Sequence, residues 1–122
     1  MTLILISVAG GMGAACRYVL SLWLVHYQGT LTIPIPILII NLSGSLLLGL
    51  CHSMYDASPT GMEYLLTTWF LGAFTTFSTF SLESIKLIED KKWKTLFWYV
   101  SITVVGSIGT YGLGYYVLSV IA

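Results

Sequence analysis

The sequence predicts an all-α integral membrane protein with four transmembrane helices in one domain, residues 1–122. Of the 122 residues, 57% are hydrophobic and only 8% are charged, and the mean hydropathy of +0.89 lies far above that of soluble globular proteins. A bilayer core of about 30 Å takes about 20 helical residues per crossing, so four crossings leave only short connections and no soluble domain. Four apolar runs fit this count, at roughly 3–26, 34–54, 64–88 and 96–121.

Short polar stretches separate the four runs. Pro34 and Pro36 open the second run, residues 56–61 separate it from the third, and residues 89–94 separate the third from the fourth. Tryptophan and tyrosine concentrate near the ends of the runs, as they do at membrane interfaces. No basic segment precedes the first run, which is long enough to span, so we expect a retained helix in a multi-pass protein of the cell membrane.

The basic residues are placed unevenly, although the net charge is zero. Four of the five surround the third connection, at Lys86, Lys91, Lys92 and Lys94. The second connection and both termini have none. The positive-inside rule then predicts that the first and third connections are cytoplasmic, that both termini are external, and that one orientation dominates.

Two polar side chains lie inside the first and second runs. The charge of Arg17 costs about 2.5 to 3.5 kcal/mol at the bilayer centre on insertion scales, so it needs water, a partner or an anion. No acidic residue of the first two runs can neutralise it. Asn41 offers two amide donors that could replace part of an anion's hydration shell. Snorkelling or a carbonyl contact for Arg17, and interhelical hydrogen bonding for Asn41, are equally open alternatives.

Hydroxyl and aromatic side chains cluster within the third run. Residues 75–80 read Thr-Thr-Phe-Ser-Thr-Phe and follow Gly72. Irregular backbone at membrane depth is tolerated only where it is buried in protein or lines a water-filled cavity, so the cluster indicates a pathway. Phe77 and Phe80 would share a helix face, with Ser81 one turn beyond Phe77, and the positive ring edges could attract a small anion. Ordinary core or lipid contact for the rings, with hydroxyls bonded to their own helix, is the alternative.

The fourth run has a stripe of four hydroxyls at spacings of four, formed by Tyr99, Thr103, Ser107 and Tyr111. Such a stripe could hydrate a moving ion, or it could bond neighbouring helices in a tight bundle. Small residues also recur at close-packing spacings, as at Ser45 and Gly49. Because four helices alone rarely enclose a pore, we expect a compact oligomer.

Three motifs occur in order along the chain: residues 10–18 (Gly-Gly-Met-Gly-Ala-Ala-Cys-Arg-Tyr), 41–45 (Asn-Leu-Ser-Gly-Ser) and 72–81 (Gly-Ala-Phe-Thr-Thr-Phe-Ser-Thr-Phe-Ser). Together they resemble the CrcB/Fluc fluoride channel family, and the likeness covers the whole chain. The resemblance implies a passive fluoride-selective ion channel that exports fluoride from the cytoplasm. It also implies four-helix subunits with a broken third helix, paired as an antiparallel dimer of dual topology with two pores.

Residue by residue, the resemblance implies an anion pathway. Phe77 and Phe80 match an aromatic box whose ring edges meet fluoride. Asn41 and Arg17 match a vestibule amide and guanidinium. Candidate hydroxyls along the path are those of Thr76, Ser78, Thr79, Ser81, Tyr99, Thr103 and Ser107.

The resemblance also implies a structural sodium ion at the dimer centre. Gly72 and Thr75 match a break in the third helix, where backbone carbonyls from both subunits hold the metal. A helix break frees carbonyls that then need a cation or solvent, which agrees with this assignment. Glu83 follows the aromatic motif as in the family, although Lys86 at i+3 could pair with it.

The uneven distribution of lysines does not suit an antiparallel homodimer. A subunit that inserts in both orientations should have similar numbers of basic residues at its two ends. Some members of the family work as pairs of oppositely oriented paralogues, and this chain could be one half of such a pair. The second subunit is therefore either identical or a paralogue. In the second case, this chain conducts little alone.

Other functions are weighed against the channel. A proton-coupled small multidrug exporter is also a four-helix class that can assemble antiparallel, but it needs an intramembrane carboxylate, for which Glu83 is the only candidate. A non-conducting structural subunit of a heterodimer is a second alternative. An enzyme is not expected, because no histidine, cysteine or carboxylate cluster offers a nucleophile and a base in one pocket. The expected partners are fluoride, the second subunit and the lipid bilayer, without nucleic acid.

Overall fold

The computed structural model describes residues 1–55 and 61–121, which are helical apart from short connections and contain no strand. The helices are α1 (Thr2–Val25), α2 (Ile35–Tyr55), α3 (Met62–Phe74), α4 (Phe77–Glu89) and α5 (Trp93–Ile121). α3 and α4 lie within one apolar span of 28 residues, so four segments are long and apolar enough to cross a membrane. This confirms the prediction of an all-α, multi-pass membrane protein with four candidate spans. The turn predicted between the second and third runs lies outside the described residues, except for Gly61.

α2 makes the most extensive helix contact, with α5, and it also packs against α3 and α1. α1 packs mainly against α3. Glycines bring these helices into backbone contact: a Cβ atom on Gly49 of α2 would overlap the carbonyl oxygen of Tyr111 of α5. A Cβ atom on Gly13 of α1 would likewise overlap the carbonyl oxygen of Phe70 of α3. Because helices in lipid associate largely through van der Waals contact, these glycines hold α5 on α2 and α1 on α3.

Replacing Gly49 by alanine is expected to destabilise the subunit, because the methyl group has no room against a backbone oxygen. Overpacking of this kind costs about 1 to 3 kcal/mol. The midpoint of thermal unfolding in detergent should fall, and so should the yield of monodisperse protein. Gly109→Ala on α5 is the matched control, because nothing lies within 4 Å of a Cβ atom there. Equal effects of the two substitutions would contradict the backbone-contact account.

Gln28 organises the connection between α1 and α2. Its Nε2 donates to the carbonyl of Leu31 at 2.7 Å and to that of Ile33 at 2.6 Å. Its Oε1 accepts a hydrogen bond from the Ile35 N–H at 2.9 Å. Because that N–H belongs to the first turn of α2 and has no partner within the helix, Gln28 caps α2 from outside.

α4 ends in a tight turn that leads directly into α5. Lys91 adopts a left-handed conformation (φ 56°), and its N–H donates to the carbonyl of Ile88 at 3.0 Å. The Lys92 N–H donates to the carbonyl of Leu87 at 2.9 Å, which completes a Schellman-type ending. This third connection and the first connection line a common cavity of about 370 Å³, so both lie at the same end of the subunit. Both signs of charge face this cavity, from Glu83, Lys86, Asp90 and Lys92.

Apolar side chains cover much of the outer surface. Ile4 of α1 is 69% exposed, and Val105 and Ile108 of α5 are 69% and 70% exposed. Contact with lipid or another subunit is favourable for so many exposed apolar side chains, whereas contact with water is not. The outside of the four spans is therefore suited to a membrane.

Candidate functional site: a polar groove at the junction of α3 and α4

Two threonines separate α3 from α4 inside the third span. Thr75 (φ −72°, ψ 156°) and Thr76 (φ −140°, ψ 122°) are both extended. Thr76 is the N-cap of α4, and its Oγ1 accepts a hydrogen bond from the Thr79 N–H at 3.2 Å. This bond satisfies one of the unpaired donors in the first turn and favours a helix start at Phe77. A capping residue, and not a proline, therefore sets the junction.

Asn41 of α2 holds this junction through its side-chain amide. Its Nδ2 donates to the Thr76 carbonyl at 3.2 Å, and its Oδ1 accepts from the Thr76 N–H at 2.9 Å. The amide thus satisfies both backbone groups of an extended residue inside an apolar span. Asn41 and Thr76 are only 7% and 5% exposed, so water does not compete strongly for these bonds.

Arg17 of α1 reaches the same junction. Its Nη1 donates to the Thr75 carbonyl at 3.3 Å. The Gly72 carbonyl loses the partner that an unbroken helix would supply, because the Thr76 N–H donates to Asn41. The Thr75 hydroxyl, which has one proton, lies 3.3 Å from that carbonyl and 3.2 Å from the Leu71 carbonyl, so the two carbonyls share it. Freed carbonyl oxygens and one guanidinium therefore lie together at the C-terminal end of α3.

A groove of about 360 Å³ opens beside the junction and is lined by α2, α4 and α5. It brings together seven of the site residues predicted from the sequence: Asn41, Thr75, Thr76, Phe77, Phe80, Thr103 and Ser107. Ser45 and Leu48 also line it. Amide, hydroxyl and aromatic groups therefore share one concave surface. A small anion could exchange water for hydrogen-bond donors and ring edges along such a surface.

The two phenylalanines both line this groove but differ in how far the subunit buries them. Their ring centroids are 5.9 Å apart with the planes tilted by 45°, so the rings share a face. Phe80 packs against the buried cluster that contains Ile40 and Phe74, and its ring lies 5.3 Å from that of Tyr99. Phe77 is 80% exposed. The subunit itself therefore holds Phe80 in place, whereas most of the Phe77 ring is left for lipid or another subunit.

Tyr99 is fully buried and lies behind Phe80, outside the residues that line the groove. Its hydroxyl donates to Oε2 of Glu83 at 2.8 Å. Glu83 in turn faces the cavity between the first and third connections. The carboxylate thus takes a hydroxyl of α5 as its hydrogen-bond partner, where the sequence suggested Lys86. Tyr99 and Glu83 lie between that cavity and Phe80.

The other predicted hydroxyls have local partners or lie beside the groove. Oγ1 of Thr76 donates to Oγ1 of Thr79 at 3.2 Å, and Oγ1 of Thr103 donates to the Tyr99 carbonyl at 2.7 Å. A hydroxyl that donates to a carbonyl offers only its lone pairs, so Thr103 must rotate before it can donate to an anion. Ser81 is half-buried on α4 and, like Arg17, Gly72, Thr79 and Tyr99, is not among the groove-lining residues.

Sequence reasoning missed three parts of this site. Ser45 and Leu48 share a helix face with Asn41 at spacings of four and seven, and this periodicity could have placed them on the groove. The bond between Glu83 and Tyr99 joins two helices across the third connection. No local sequence signal identifies such a bond, because it depends on how α5 packs on α4.

Comparisons with known proteins show which family this chain belongs to. A family model described as "CrcB-like protein, Camphor Resistance (CrcB)" matches residues 4–115. The chain is 40% identical to "Fluoride-specific ion channel FluC 1" of Halalkalibacterium halodurans over 122 residues, which cover 95% of this chain and 96% of the relative.

Two further relatives come from one strain, Bacillus thuringiensis subsp. konkukian. Its "Fluoride-specific ion channel FluC 1" is 40% identical over 92% of this chain and 83% of the relative. Its "Fluoride-specific ion channel FluC 2" is 40% identical over 86% of both chains. Such channels therefore occur as two paralogues in one organism. The resemblance inferred from the three motifs is confirmed, and the chain belongs to the CrcB family.

Proposed function

We propose that this protein is a passive, fluoride-selective channel that exports fluoride from the cytoplasm. The observation that carries the proposal is the groove itself, in which two phenylalanines, an amide and several hydroxyls line one surface within the membrane spans. Relatives that this chain matches over most of their length are named as fluoride-specific ion channels, which supports the same function. The family is one of transporters, in agreement with the prediction that the chain is not an enzyme.

Fluoride passage is proposed to begin where Arg17 and Asn41 offer positive charge and an amide donor. The ion then exchanges water for the ring edges of Phe77 and Phe80 and for hydroxyls of α4 and α5. Dehydration of a small anion is costly, so several donors must close on it together, and a larger halide would not fit the same passage. Binding must also remain weak enough for the ion to leave.

The channel is proposed to be an antiparallel dimer with two pores. The 80% exposure of Phe77 supports this, because a second subunit would cover the ring and close the open side of the groove. The lysines at the third connection favour one orientation for this chain. We therefore propose a paralogue of opposite charge bias as the second subunit where the organism has one, and a second copy of this chain otherwise.

Orientation can be measured with a protease-sensitive tag after residue 122 in sealed vesicles. An impermeant protease should cleave roughly half of the tags if this chain inserts both ways, and nearly all or none of them if the lysine bias fixes one orientation. A pair of paralogues would be supported if two results are obtained. The tags are all cleaved or all protected when the chain is alone, and the chain assembles with a paralogue of the opposite orientation.

A sodium ion at the dimer centre is proposed to be structural. The backbone carbonyls at the end of α3 are suitable ligands for a hard cation, because the Gly72 carbonyl lacks its helical partner and a carbonyl has two lone pairs, one of which stays free at Thr75 beside the Arg17 contact. Gly72 is exposed and Thr75 is half-exposed, so a second subunit could reach both carbonyls. The ion would bind the free lone pairs of these carbonyl oxygens and hold two subunits together.

Removing sodium is expected to lower the thermal stability of the dimer and its fluoride flux together. Protein purified and reconstituted with N-methylglucamine salts would be compared with the same protein after sodium is added back. Recovery of thermal stability and fluoride flux with sodium, but not with N-methylglucamine, supports the proposed sodium site. A stability and a flux that do not depend on the cation would contradict it.

Growth in fluoride separates the channel from a drug exporter. Undissociated hydrogen fluoride crosses membranes in acid surroundings and releases fluoride in the more neutral cytoplasm, so a passive exit is sufficient for export. Cells that lack their own fluoride exporter should grow in acidic fluoride medium when they express this chain, alone or with a paralogue. Resistance to cationic dyes without resistance to fluoride would favour the proton-coupled exporter instead.

A further inference from the structure

An apolar groove runs along α5 on a face of the helix that the polar groove does not use. Its volume is about 370 Å³, and its walls are apolar. The residues that line it follow one another at spacings of three and four, so they form one helix face: Trp98, Ser101, Ile102, Val105 and Gly106. Gly106 has no side chain, and the Leu42 side chain of α2 approaches it. This end of the apolar groove therefore lies where α5 meets α2.

The apolar groove has the length of one membrane leaflet. An α-helix rises about 1.5 Å per residue, so the distance along α5 from Trp98 to Gly106 is about 12 Å. Half of a hydrocarbon core of about 30 Å is about 15 Å. Trp98 is exposed, and tryptophans near the ends of spans concentrate at the membrane surface. The apolar groove thus begins near one membrane surface and covers most of the depth of that leaflet.

A lysine lies at the outer end of this apolar face. Lys94 is one turn before Trp98 on the same side of α5, and its side chain is exposed. The two lysines of the preceding turn are exposed as well. Residues 86–94 contain four lysines and only two acidic residues, one of which, Asp90, faces the cavity between the first and third connections. The outer end of the apolar groove is therefore positively charged.

The apolar groove and the polar groove lie on opposite sides of α5. Ser107 lines the polar groove and Val105 lines the apolar groove. Two residues of a helix that are two positions apart point about 160° away from each other. A second subunit that closes the polar groove would approach from the other side of α5, so this face would remain in contact with lipid.

We propose that this face of α5 binds an anionic phospholipid, with the headgroup phosphate on Lys94 and one acyl chain in the apolar groove. The occupant must combine a negative charge at the membrane surface with an apolar chain that fits within one leaflet, and such a lipid has both. A helix of a second subunit would cover an apolar face as well, but it would not need a cation at the membrane surface. A bound anionic lipid would also favour the orientation in which the third connection faces the more anionic leaflet.

The test is native mass spectrometry of the purified full chain in detergent, with its paralogue if the chain is stable only in a pair. Phosphatidylglycerol and phosphatidylcholine with identical acyl chains are added separately, and the bound lipid is counted at each concentration. The wild type should bind phosphatidylglycerol at least about fivefold more tightly, because one lysine near an anionic headgroup contributes about 1 kcal/mol. Equal affinities for the two lipids would overturn the inference.

The headgroup contact is tested by Lys94→Gln, which should weaken phosphatidylglycerol binding about fivefold and leave phosphatidylcholine binding unchanged. Lys86→Gln is the matched control, because it removes the same charge at the same end of the subunit, where Lys86 faces the cavity between the first and third connections. It should keep the wild-type affinity. Equal losses in the two variants would indicate diffuse attraction to a basic surface, and an unchanged Lys94→Gln would show that the lysine makes no contact. Either result would overturn the proposed site.

The acyl-chain contact is tested by Val105→Trp, which should weaken the binding of both lipids at least about fivefold, because the indole fills the space of the chain. Ile108→Trp is the control, because Ile108 is about as exposed as Val105 and lies outside the apolar groove. It should bind both lipids as the wild type does. Wild-type binding by Val105→Trp, or an equal loss in Ile108→Trp, would overturn the inference.

The same spectra give the number of subunits in each assembly. If Val105→Trp no longer assembles while Ile108→Trp does, this face of α5 is a contact between subunits, and the lipid inference is wrong. Unchanged assembly together with weaker lipid binding supports the inference. None of these measurements contains fluoride, so their outcome does not depend on the proposed channel function.

Discussion

Phe80→Ile is expected to abolish fluoride efflux, or to reduce it by more than about a hundredfold, while the dimer remains assembled. Isoleucine fills much of the same apolar site beside Ile40 and Phe74, but it has no positive ring edge to replace the water of the ion. The measurement is electrode-monitored efflux from liposomes, with size-exclusion chromatography of the same preparation. Because the Phe80 ring also touches the Tyr99 ring, a small loss of thermal stability is expected as well.

The control for this variant is Phe97→Ile on α5, where the ring is 65% exposed. It makes the same chemical change without touching the groove, so its flux should match that of the wild type. Unchanged efflux in Phe80→Ile would remove the aromatic-edge mechanism. Equal losses in the two variants would indicate a general effect on the protein.

Asn41→Asp is expected to have the second-largest effect. The carboxylate can still accept from the Thr76 N–H, but it cannot donate to the Thr76 carbonyl, which then faces an oxygen. A buried unpaired acceptor costs about 1 to 3 kcal/mol, and a negative charge beside the groove opposes the approach of an anion. We expect a lower unfolding midpoint and fluoride flux reduced at least about tenfold per folded dimer.

Asn41→Leu separates structure from charge, because it removes both hydrogen bonds without adding a carboxylate. Its stability should fall by a similar amount, whereas its flux per folded dimer should exceed that of Asn41→Asp. Wild-type transport by Asn41→Asp would show that the amide only holds the junction of α3 and α4. Identical flux in the two variants would show that charge at this position does not matter.

The spans were predictable because they depend on local composition. Apolar runs of about 20 residues between polar stretches place a helix in lipid whatever its neighbours are, and the observed boundaries differ by at most three residues from the predicted ones. The shared face of Phe77 and Phe80 followed from a spacing of three. Their different burial did not, because it depends on which helices pack against each ring.

Contacts between distant parts of the chain could not be predicted from the sequence pattern. Asn41 was recognised as a polar residue in an apolar run, yet its two bonds to Thr76 depend on α2 lying against the junction of α3 and α4. The left-handed Lys91 was unexpected, because lysine has no intrinsic preference for that conformation and the capping bonds of α4 impose it. The hydrogen bond between the His52 ring on α2 and the Tyr111 hydroxyl on α5 likewise depends on the packing of α5 on α2.

The most direct test of the channel is efflux from liposomes that contain only this purified chain and are loaded with fluoride and chloride salts. Valinomycin carries the compensating potassium current, and separate electrodes follow the two halides. We expect rapid fluoride release without chloride release, either from this chain alone or after co-reconstitution with a paralogue of opposite charge bias. Release of both halides at similar rates, or no fluoride release in either preparation, would contradict a fluoride-selective channel.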